Sequence, residues 1–342
     1  MGNLIYRPFQ PVYWLPSAHH QTIWPSLFRT RASLSIHWER VELPDGDFID
    51  LAWHQNANRP IVLLLHGLEG SIDSHYARNT MAALHQAGYN SVLMHFRGCS
   101  RESNRLPQSY HSGATDDLRL ILRHLQDTSR LPTLAIGVSL GGNLLLKYLG
   151  EEGSASLIPR AIAISVPFQL ATCAQTLQTG FAALYGQYLL RQLKSSYQRK
   201  FEQQRSPLAV SLPSIKTLWQ FDEKITAPLH GFCGAEDYYR QCSCAQFLPA
   251  ITIPTLIIHA SDDPFMTPAI IPTTREISPT ITLEVYRHGG HVGFIGRADQ
   301  QATPSPSITP SAYWLESRII HHLQTTAEDH RHQTPRINQE IV

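Results

Sequence analysis

Short apolar runs alternate with segments of helical periodicity through the first half of the chain. Ile61–Leu65 is a continuous apolar run, which is typical of a strand buried on both faces of a parallel sheet. Residues 91–96, 134–137 and 161–166 repeat this pattern, with helical spacing between the runs. Because strands that alternate with helices pair in parallel, the pattern predicts an α/β fold with helices on both faces of a mostly parallel sheet.

Local signals add helices, a hairpin and an N-terminal arm. Apolar residues three and four positions apart predict helices at 76–88, 116–125 and 140–149. Residues 38–43 and 48–53 flank an Asp-Gly turn, which predicts a β-hairpin. The opening forty residues contain many aromatic residues and prolines, so we expect them to pack over the core as an irregular arm.

The alternation stops between residues 167 and 250, where apolar residues follow helical spacing alone. Strand patterns return at 255–259 and 282–286. We predict a helical cap inserted at 167–250; the alternative is that these helices only cover the sheet. The residues that share one helix face in this segment are Phe181, Leu184, Tyr185, Tyr188, Leu189 and Leu193. Leu184 and Tyr188 are the candidate substrate-binding residues of the cap.

A G-x-S-x-G pentapeptide, Gly137-Val138-Ser139-Leu140-Gly141, lies between a predicted strand and a predicted helix. In this context the chain reverses sharply at the serine, which projects its Oγ above the sheet from a strained backbone. The flanking glycines allow the strand and the helix to approach each other closely. Ser139 is therefore the predicted nucleophile, and the alternative is a structural serine in a glycine-rich turn.

A nucleophilic serine requires N–H donors for the oxyanion that develops on its substrate. One donor is predicted to be the backbone N–H of Leu140, directly after the nucleophile. The second is expected from the loop that follows Ile61–Leu65, and the N–H of Leu68 is the candidate. His66, at the start of that loop, is expected to orient it rather than to carry a proton.

The chain contains 18 histidines, so the general base must be identified from its position along the sequence. The expected order along the chain is serine, acid, histidine. His291 follows the last predicted strand within a glycine-rich segment and is preferred over His288, which directly abuts that strand. Asp262 and Asp263 both follow the preceding strand. Asp263 is preferred as the acid because enzymes with this order of residues usually place the acid just before such a proline-bearing turn. Asp262 is expected to satisfy turn amides.

Composition describes an ordinary globular chain of 342 residues with a net charge of +1 and 42% hydrophobic residues. We assign residues 1–323 to one domain that includes the cap, a Pro/Ser-rich loop to residues 297–311, and a polar, disordered tail to residues 324–342. The near-neutral charge gives no reason to expect nucleic acid as a partner. Five cysteines without a C-x-x-C pair indicate reduced thiols rather than a disulfide framework or a zinc site.

The N-terminus lacks a basic segment followed by an apolar stretch, so a secretory signal is not expected. The sequence predicts no transmembrane segment, because no apolar run approaches the roughly 18 residues that a spanning helix needs. These features predict a cytoplasmic protein and are compatible with transient contact with a membrane surface.

Several strings in the sequence are more specific than the pentapeptide. LHGLEG, GVSLGGNLLLKYLGEEG, HASDDPFM and GGHVGF occur in this order and resemble the YheT-like branch of the α/β hydrolases. The resemblance extends over about residues 8–323, and the wider family includes mammalian α/β-hydrolase domain lipases and yeast ethanol acyltransferases. It implies the α/β-hydrolase fold and a charge relay of Ser139, Asp263 and His291, in agreement with the positional argument.

The leading functional hypothesis is a serine hydrolase that cleaves carboxylic esters, either short- to medium-chain acyl esters or acylglycerols, through an acyl-enzyme. Acyl transfer to an alcohol in the same site is the alternative. A non-catalytic binding protein on this fold is the third hypothesis, and the intact set of site residues argues against it. The expected partner is a small-molecule acyl ester, with no cofactor and no metal.

Overall fold

The computed structural model of this chain describes residues 1–56, 58–202, 204–296 and 314–333. Within these residues one sheet contains every named strand. The strands are β1 (Asn3–Arg7), β2 (His37–Glu42), β3 (Phe48–His54), β4 (Ile61–Leu65), β5 (Asn90–Met94), β6 (Leu134–Val138), β7 (Ala161–Ile164), β8 (Thr255–Ala260) and β9 (Ile281–Tyr286).

The strand order is β1-β9-β8-β7-β6-β4-β5-β3-β2. Neighbours pair in parallel from β1 to β5, whereas β3 pairs antiparallel with β5 and β2 pairs antiparallel with β3. The predicted hairpin and the predicted parallel strands are confirmed. The central strands are apolar along their whole length because helices cover both faces of the sheet.

The described helices include the three predicted in the first half of the chain. Helix α4 continues beyond its predicted end at Leu149, because Gly150 packs against the segment Cys244–Ala250 and does not end the helix. A Cβ on Gly150 would lie 2.4 Å from the carbonyl oxygen of Phe247. The α-helices are α1 (Ala18–Phe28), α2 (Ala77–Gln86), α3 (Thr115–Asp127), α4 (Leu140–Glu152), α5 (Leu170–Thr176), α6 (Ala182–Glu202), α7 (Leu218–Phe221), α8 (Ala227–His230), α9 (Ala235–Cys242) and α10 (Trp314–Gln333).

The N-terminal forty residues correct the expectation of an irregular arm. β1 adds an edge strand to the sheet by pairing in parallel with β9. Ser17 begins α1 as its N-cap, and its side chain accepts a hydrogen bond from the N–H of His20. The sequence concealed both elements, because β1 is a short edge strand whose side chains are mostly exposed and α1 contains Pro25.

The C-terminal end also differs from its prediction. Helix α10 continues to Gln333, so the expectation of disorder from residue 324 is wrong for residues 324–333. These residues include good helix formers and contain no glycine or proline, and the next proline is Pro335. The predicted Pro/Ser-rich loop at 297–311 and the remainder of the tail lie outside the described residues.

The described part of the segment 167–250 contains helices α5 to α9, joined by turns and loops, and no strand. A π-helical turn, Asp222–Thr226, joins α7 to α8. Two apolar clusters hold these helices together, and both are separate from the clusters on the two faces of the sheet. The helices therefore form a layer with its own core above the carboxyl ends of the strands, as expected of a cap.

Candidate active site

Ser139 lies at the junction of β6 and α4, with φ 53° and ψ −120°. Two glycines make this reversal sterically feasible. A Cβ on Gly137 would lie 2.5 Å from the carbonyl oxygen of Gly141, and one on Gly141 would lie 2.4 Å from that of Leu65. Both contacts are shorter than van der Waals separation, so only glycine fits either position. The backbone strain at Ser139 is that of a nucleophile elbow.

The structure brings together the three residues predicted for a charge relay. The Nε2 atom of His291 lies 3.0 Å from the Oγ of Ser139. The Nδ1 atom of the same ring lies 2.8 Å from the Oδ2 of Asp263. This geometry allows the serine to donate its proton to Nε2 while the carboxylate accepts from Nδ1–H, which is the tautomer that general-base catalysis requires.

The relay is largely shielded from solvent. The side chain of Asp263 is 1% exposed and that of His291 is 10% exposed. The ring of Phe265 stacks on the imidazole, with centroids 4.0 Å apart and an interplanar angle of 10°. The N–H of Phe265 donates to the Oδ1 of Asp263 at 2.9 Å, which leaves Oδ2 to accept from the histidine. Packing and hydrogen bonds therefore fix both partners before a substrate arrives.

The alternative pair, Asp262 and His288, lies beside the relay and contacts the same loop. The Oδ1 of Asp262 accepts from the N–H of Gly290 at 3.0 Å, and its Oδ2 lies 3.3 Å from the Nδ1 of His288. His288 has no hydrogen bond to Ser139 in the structure. Asp262 therefore supports the backbone of the histidine loop, the kind of role predicted for it.

The loop that carries His291 depends on distant residues that sequence reasoning missed. The backbone N–H of His291 donates to the Oγ1 of Thr22 at 2.9 Å. The backbone N–H of Val292 donates to the Oγ of Ser165 at 3.1 Å. Gln21 accepts from the N–H of Ile295 at 2.6 Å. Thr22 and Gln21 belong to α1, within the segment expected to be irregular. An N-cap serine followed by a helical segment was the only local signal.

The loop after β4 forms a tight turn next to the nucleophile. A Cβ on Gly67 would lie 3.3 Å from the Cβ of Ser139, and the N–H of Gly70 donates to the Gly67 carbonyl at 3.0 Å. The Nδ1 of His66 bonds to the same carbonyl at 2.8 Å. The Gly67 carbonyl and the N–H of Leu68 belong to the same trans peptide and therefore point in opposite directions. Since the carbonyl faces Gly70 and His66, the N–H of Leu68 points away from these two residues. Within the described part of the chain that N–H has no protein acceptor, and its role as an oxyanion donor stays a prediction.

His66 is placed in a structural role by its surroundings. Its Nε2 accepts from the N–H of Phe96 at 3.1 Å, so Nδ1 carries the hydrogen that is donated to Gly67. Complete burial lowers the pKa of His66 to about 3, which keeps the ring neutral at physiological pH. The second predicted oxyanion donor, the N–H of Leu140, is the first of α4 and has no acceptor within its own helix.

A cavity of about 670 Å³ lies between the sheet and the cap, and Ser139 and His291 line its floor. Leu184 and Tyr188, the cap residues predicted to bind substrate, both line it and are 60% and 57% exposed. Its walls are mainly apolar, and the carboxylate of Asp222 lies among them. A cavity of this size and character fits a small molecule with a hydrocarbon portion.

The parallel sheet, the elbow and the hydrogen-bonded relay together define an α/β hydrolase. The alpha/beta hydrolase fold family matches residues 60–298, and the chain belongs to this family. It is 42% identical over 328 residues to YheT of Escherichia coli (strain K12), which covers 94% of each chain. It is 30% identical over 307 residues to phospholipase ABHD3 of Mus musculus, covering 85% of this chain and 74% of the relative.

A solved esterase of Pyrococcus furiosus superposes with a TM-score of 0.55 over 95% of this chain and 99% of its own, at 17% sequence identity, which supports the fold. The predicted resemblance to the YheT-like branch is confirmed. The chain is thus an enzyme of the esterase and lipase type. No helix in the described ranges is both long and apolar enough to cross a membrane.

Proposed function

We propose that this enzyme hydrolyses carboxylic esters of short to medium acyl chain length, or acylglycerols, through an acyl-enzyme on Ser139. The observation that carries the proposal is the unbroken chain of contacts from Ser139 through His291 to Asp263, at 3.0 and 2.8 Å. The apolar cavity above these residues supports a substrate with a hydrocarbon acyl group.

In the first half-reaction the Oγ of Ser139 attacks the ester carbonyl carbon while its proton passes to the Nε2 of His291. The carbonyl π electrons move to the oxygen, and the N–H groups of Leu68 and Leu140 stabilise the oxyanion. As the tetrahedral intermediate collapses, the bond to the alcohol oxygen breaks and that oxygen takes the proton from Nε2. The carboxylate of Asp263 stabilises the imidazolium that exists between the two proton transfers.

In the second half-reaction a water molecule attacks the acyl-enzyme, and His291 accepts its proton. The bond between the acyl carbon and the Oγ of Ser139 then breaks, the serine regains the proton, and the carboxylic acid leaves. An alcohol in place of water would give a new ester by the same steps. Acyl transfer therefore differs from hydrolysis only in the molecule that attacks the acyl-enzyme.

The test is a chain-length series of p-nitrophenyl esters and monoacylglycerols, assayed with and without ethanol as an acceptor. Hydrolysis with a maximum among short and medium chains, and free acid as the main product with ethanol present, supports the proposal. A main product of ethyl ester would replace hydrolysis by acyl transfer. Turnover of none of these esters by a chain that still binds them would contradict both.

A further inference from the structure

Glu69 follows the predicted oxyanion donor Leu68 directly and has an unusual backbone conformation. It is the third residue of the turn that starts at Gly67, and its φ is 51°. Positive φ at this position of a turn favours glycine or asparagine, because a Cβ crowds the neighbouring carbonyl. A glutamate holds this conformation only if its surroundings compensate for the strain.

Two partners from distant parts of the chain hold Glu69. Its N–H donates to the hydroxyl of Tyr110 at 2.7 Å, and that hydroxyl donates to its Oε1 at 2.9 Å. The hydroxyl of Ser196 donates to its Oε2. Tyr110 belongs to the loop before α3, whereas Ser196 lies on α6 of the cap. Backbone and side chain of one strained residue are therefore both clamped.

Helix α6 is anchored next to this contact. The Nζ of Lys200, one turn further along, donates to the Oδ1 of Asn104 at 2.7 Å and to the carbonyl of Gln108 at 2.9 Å. The first turns of the same helix carry Leu184 and Tyr188, which line the cavity. The helix that lines the cavity is thus the helix that contacts the turn after β4.

We infer that Glu69 is a positioning residue that couples cap helix α6 to the oxyanion turn. Its bonds to Ser196 and Tyr110 keep φ positive, which fixes the peptide between Leu68 and Glu69 and with it the position of Leu68 in the turn. Without the clamp, Glu69 relaxes to negative φ, the peptide between Leu68 and Glu69 rotates, and Leu68 shifts so that its N–H no longer meets the oxyanion. The inference rests on the proposed function, because it assigns Leu68 an oxyanion to stabilise.

The test compares Glu69→Ala with Glu69→Gly on p-nitrophenyl acetate, which carries the shortest acyl group of the ester series. Both variants lose the side-chain bonds of the clamp, but glycine adopts a φ of 51° without strain. We expect kcat to fall about 10- to 100-fold in Glu69→Ala, with KM within about twofold of the parent value. This fall in kcat should not exceed the fall that follows the removal of a whole oxyanion donor. The kcat of Glu69→Gly should be at least about threefold higher than that of Glu69→Ala, although glycine is the smaller residue.

Ser196→Ala tests the cap side of the contact without touching the turn, and Ser195→Ala is its matched control. Ser195 is exposed on the same helix and makes no side-chain hydrogen bond within the described part of the chain. We expect kcat on the acetate ester to fall about 3- to 10-fold in Ser196→Ala alone, because the contribution of one neutral or charged hydrogen bond is of this order. The double variant Ser196→Ala with Glu69→Ala should be no slower than Glu69→Ala, since both remove the same contact.

Equal kcat in Glu69→Ala and Glu69→Gly, or a kcat in Ser196→Ala equal to that of Ser195→Ala, would overturn the inference. In those cases Glu69 would only dock the cap. The proposed function is tested separately, because full ester hydrolysis by Ser139→Ala would contradict it whatever the Glu69 variants show. A rise in KM with unchanged kcat in the Glu69 variants would also overturn the positioning role.

Discussion

The carboxyl end of the sheet and the cap face the same cavity but hold their side chains very differently. His291 and Asp263 are both buried, and hydrogen bonds or ring stacking fix each of them. Leu184 and Tyr188 of the cap are more than half exposed. The groups proposed for the chemistry are preorganised, whereas the groups proposed for substrate selection are free to adapt. Changes at the sheet should therefore alter kcat for every ester, and changes in the cap should alter which ester is preferred.

The largest expected effect at the sheet separates the two adjacent aspartates. Asp263→Asn presents a neutral amide to the Nδ1 of His291, which cannot stabilise the imidazolium and favours the wrong tautomer. A substitution of this kind in serine proteases lowers kcat by about 10⁴-fold, and we expect a similar loss here with little change in KM. Steady-state kinetics on one good ester measure it.

Asp262→Asn is the matched control, since its amide oxygen still accepts from the N–H of Gly290. We expect this variant to keep kcat within about threefold of the parent enzyme. If Asp262→Asn collapses while Asp263→Asn stays near normal, the acid has been assigned to the wrong neighbour, although Ser139 and His291 would keep their proposed roles.

The next effect concerns the support of the histidine loop by α1. Thr22→Val removes the acceptor of the N–H of His291 and leaves that buried group without a partner, at a cost of about 1–3 kcal/mol. We expect a lower melting temperature and a kcat about 10-fold lower on esters of every length. Thr22→Ser keeps the hydroxyl and should retain most of the activity. Identical kinetics in the valine and serine variants would show that this bond does not position the base.

In the cap, Leu184→Ala and Tyr188→Ala should shift the preferred acyl chain length by a few carbons. Each side chain is more than half exposed, so its truncation should reduce the free energy of unfolding by less than about 1 kcal/mol. Activity on the acetate ester should change less than twofold. A uniform loss over all chain lengths, together with a lower melting temperature, would instead identify this face as core.

The smallest effect is a pH dependence at the anchor of α6. Burial is the main cause that lowers the pKa of Lys200 to about 8, and nearby Asp47 partly opposes it. Since the unfolded chain binds this proton up to about pH 10.5, the contribution of Lys200 to stability rises between pH 8 and pH 10.5. The melting temperature of the parent minus that of Lys200→Met should grow by about 2–4 °C over this interval. A flat difference would contradict the buried environment.

Local patterns predicted the elements that position the nucleophile, because the constraints there act over a few residues. The elbow at Ser139 needs glycines two residues away on both sides, and a buried parallel strand needs a continuous apolar run. The choice of Asp263 over Asp262 also depended on a neighbouring proline. In each case the residues that allow the prediction lie within a few positions of the residue that is predicted.

The missed features depend on contacts between distant segments. Thr22 lies 269 positions from His291, and Ser196 lies 127 positions from Glu69. Neither side chain has a chemistry that distinguishes it from an ordinary surface hydroxyl in the sequence. Strand β1 was missed because an edge strand that is mostly exposed lacks an apolar run. Only the fold brings these residues to the site.

The central claim is that Ser139 is the nucleophile, and labelling with a fluorophosphonate probe tests it most directly. Mass spectrometry of the labelled chain should place the probe on Ser139 alone, and Ser139→Ala should lose both labelling and ester hydrolysis while its melting temperature stays within a few degrees. The probe on another serine, or persistent ester hydrolysis in Ser139→Ala, would contradict the account.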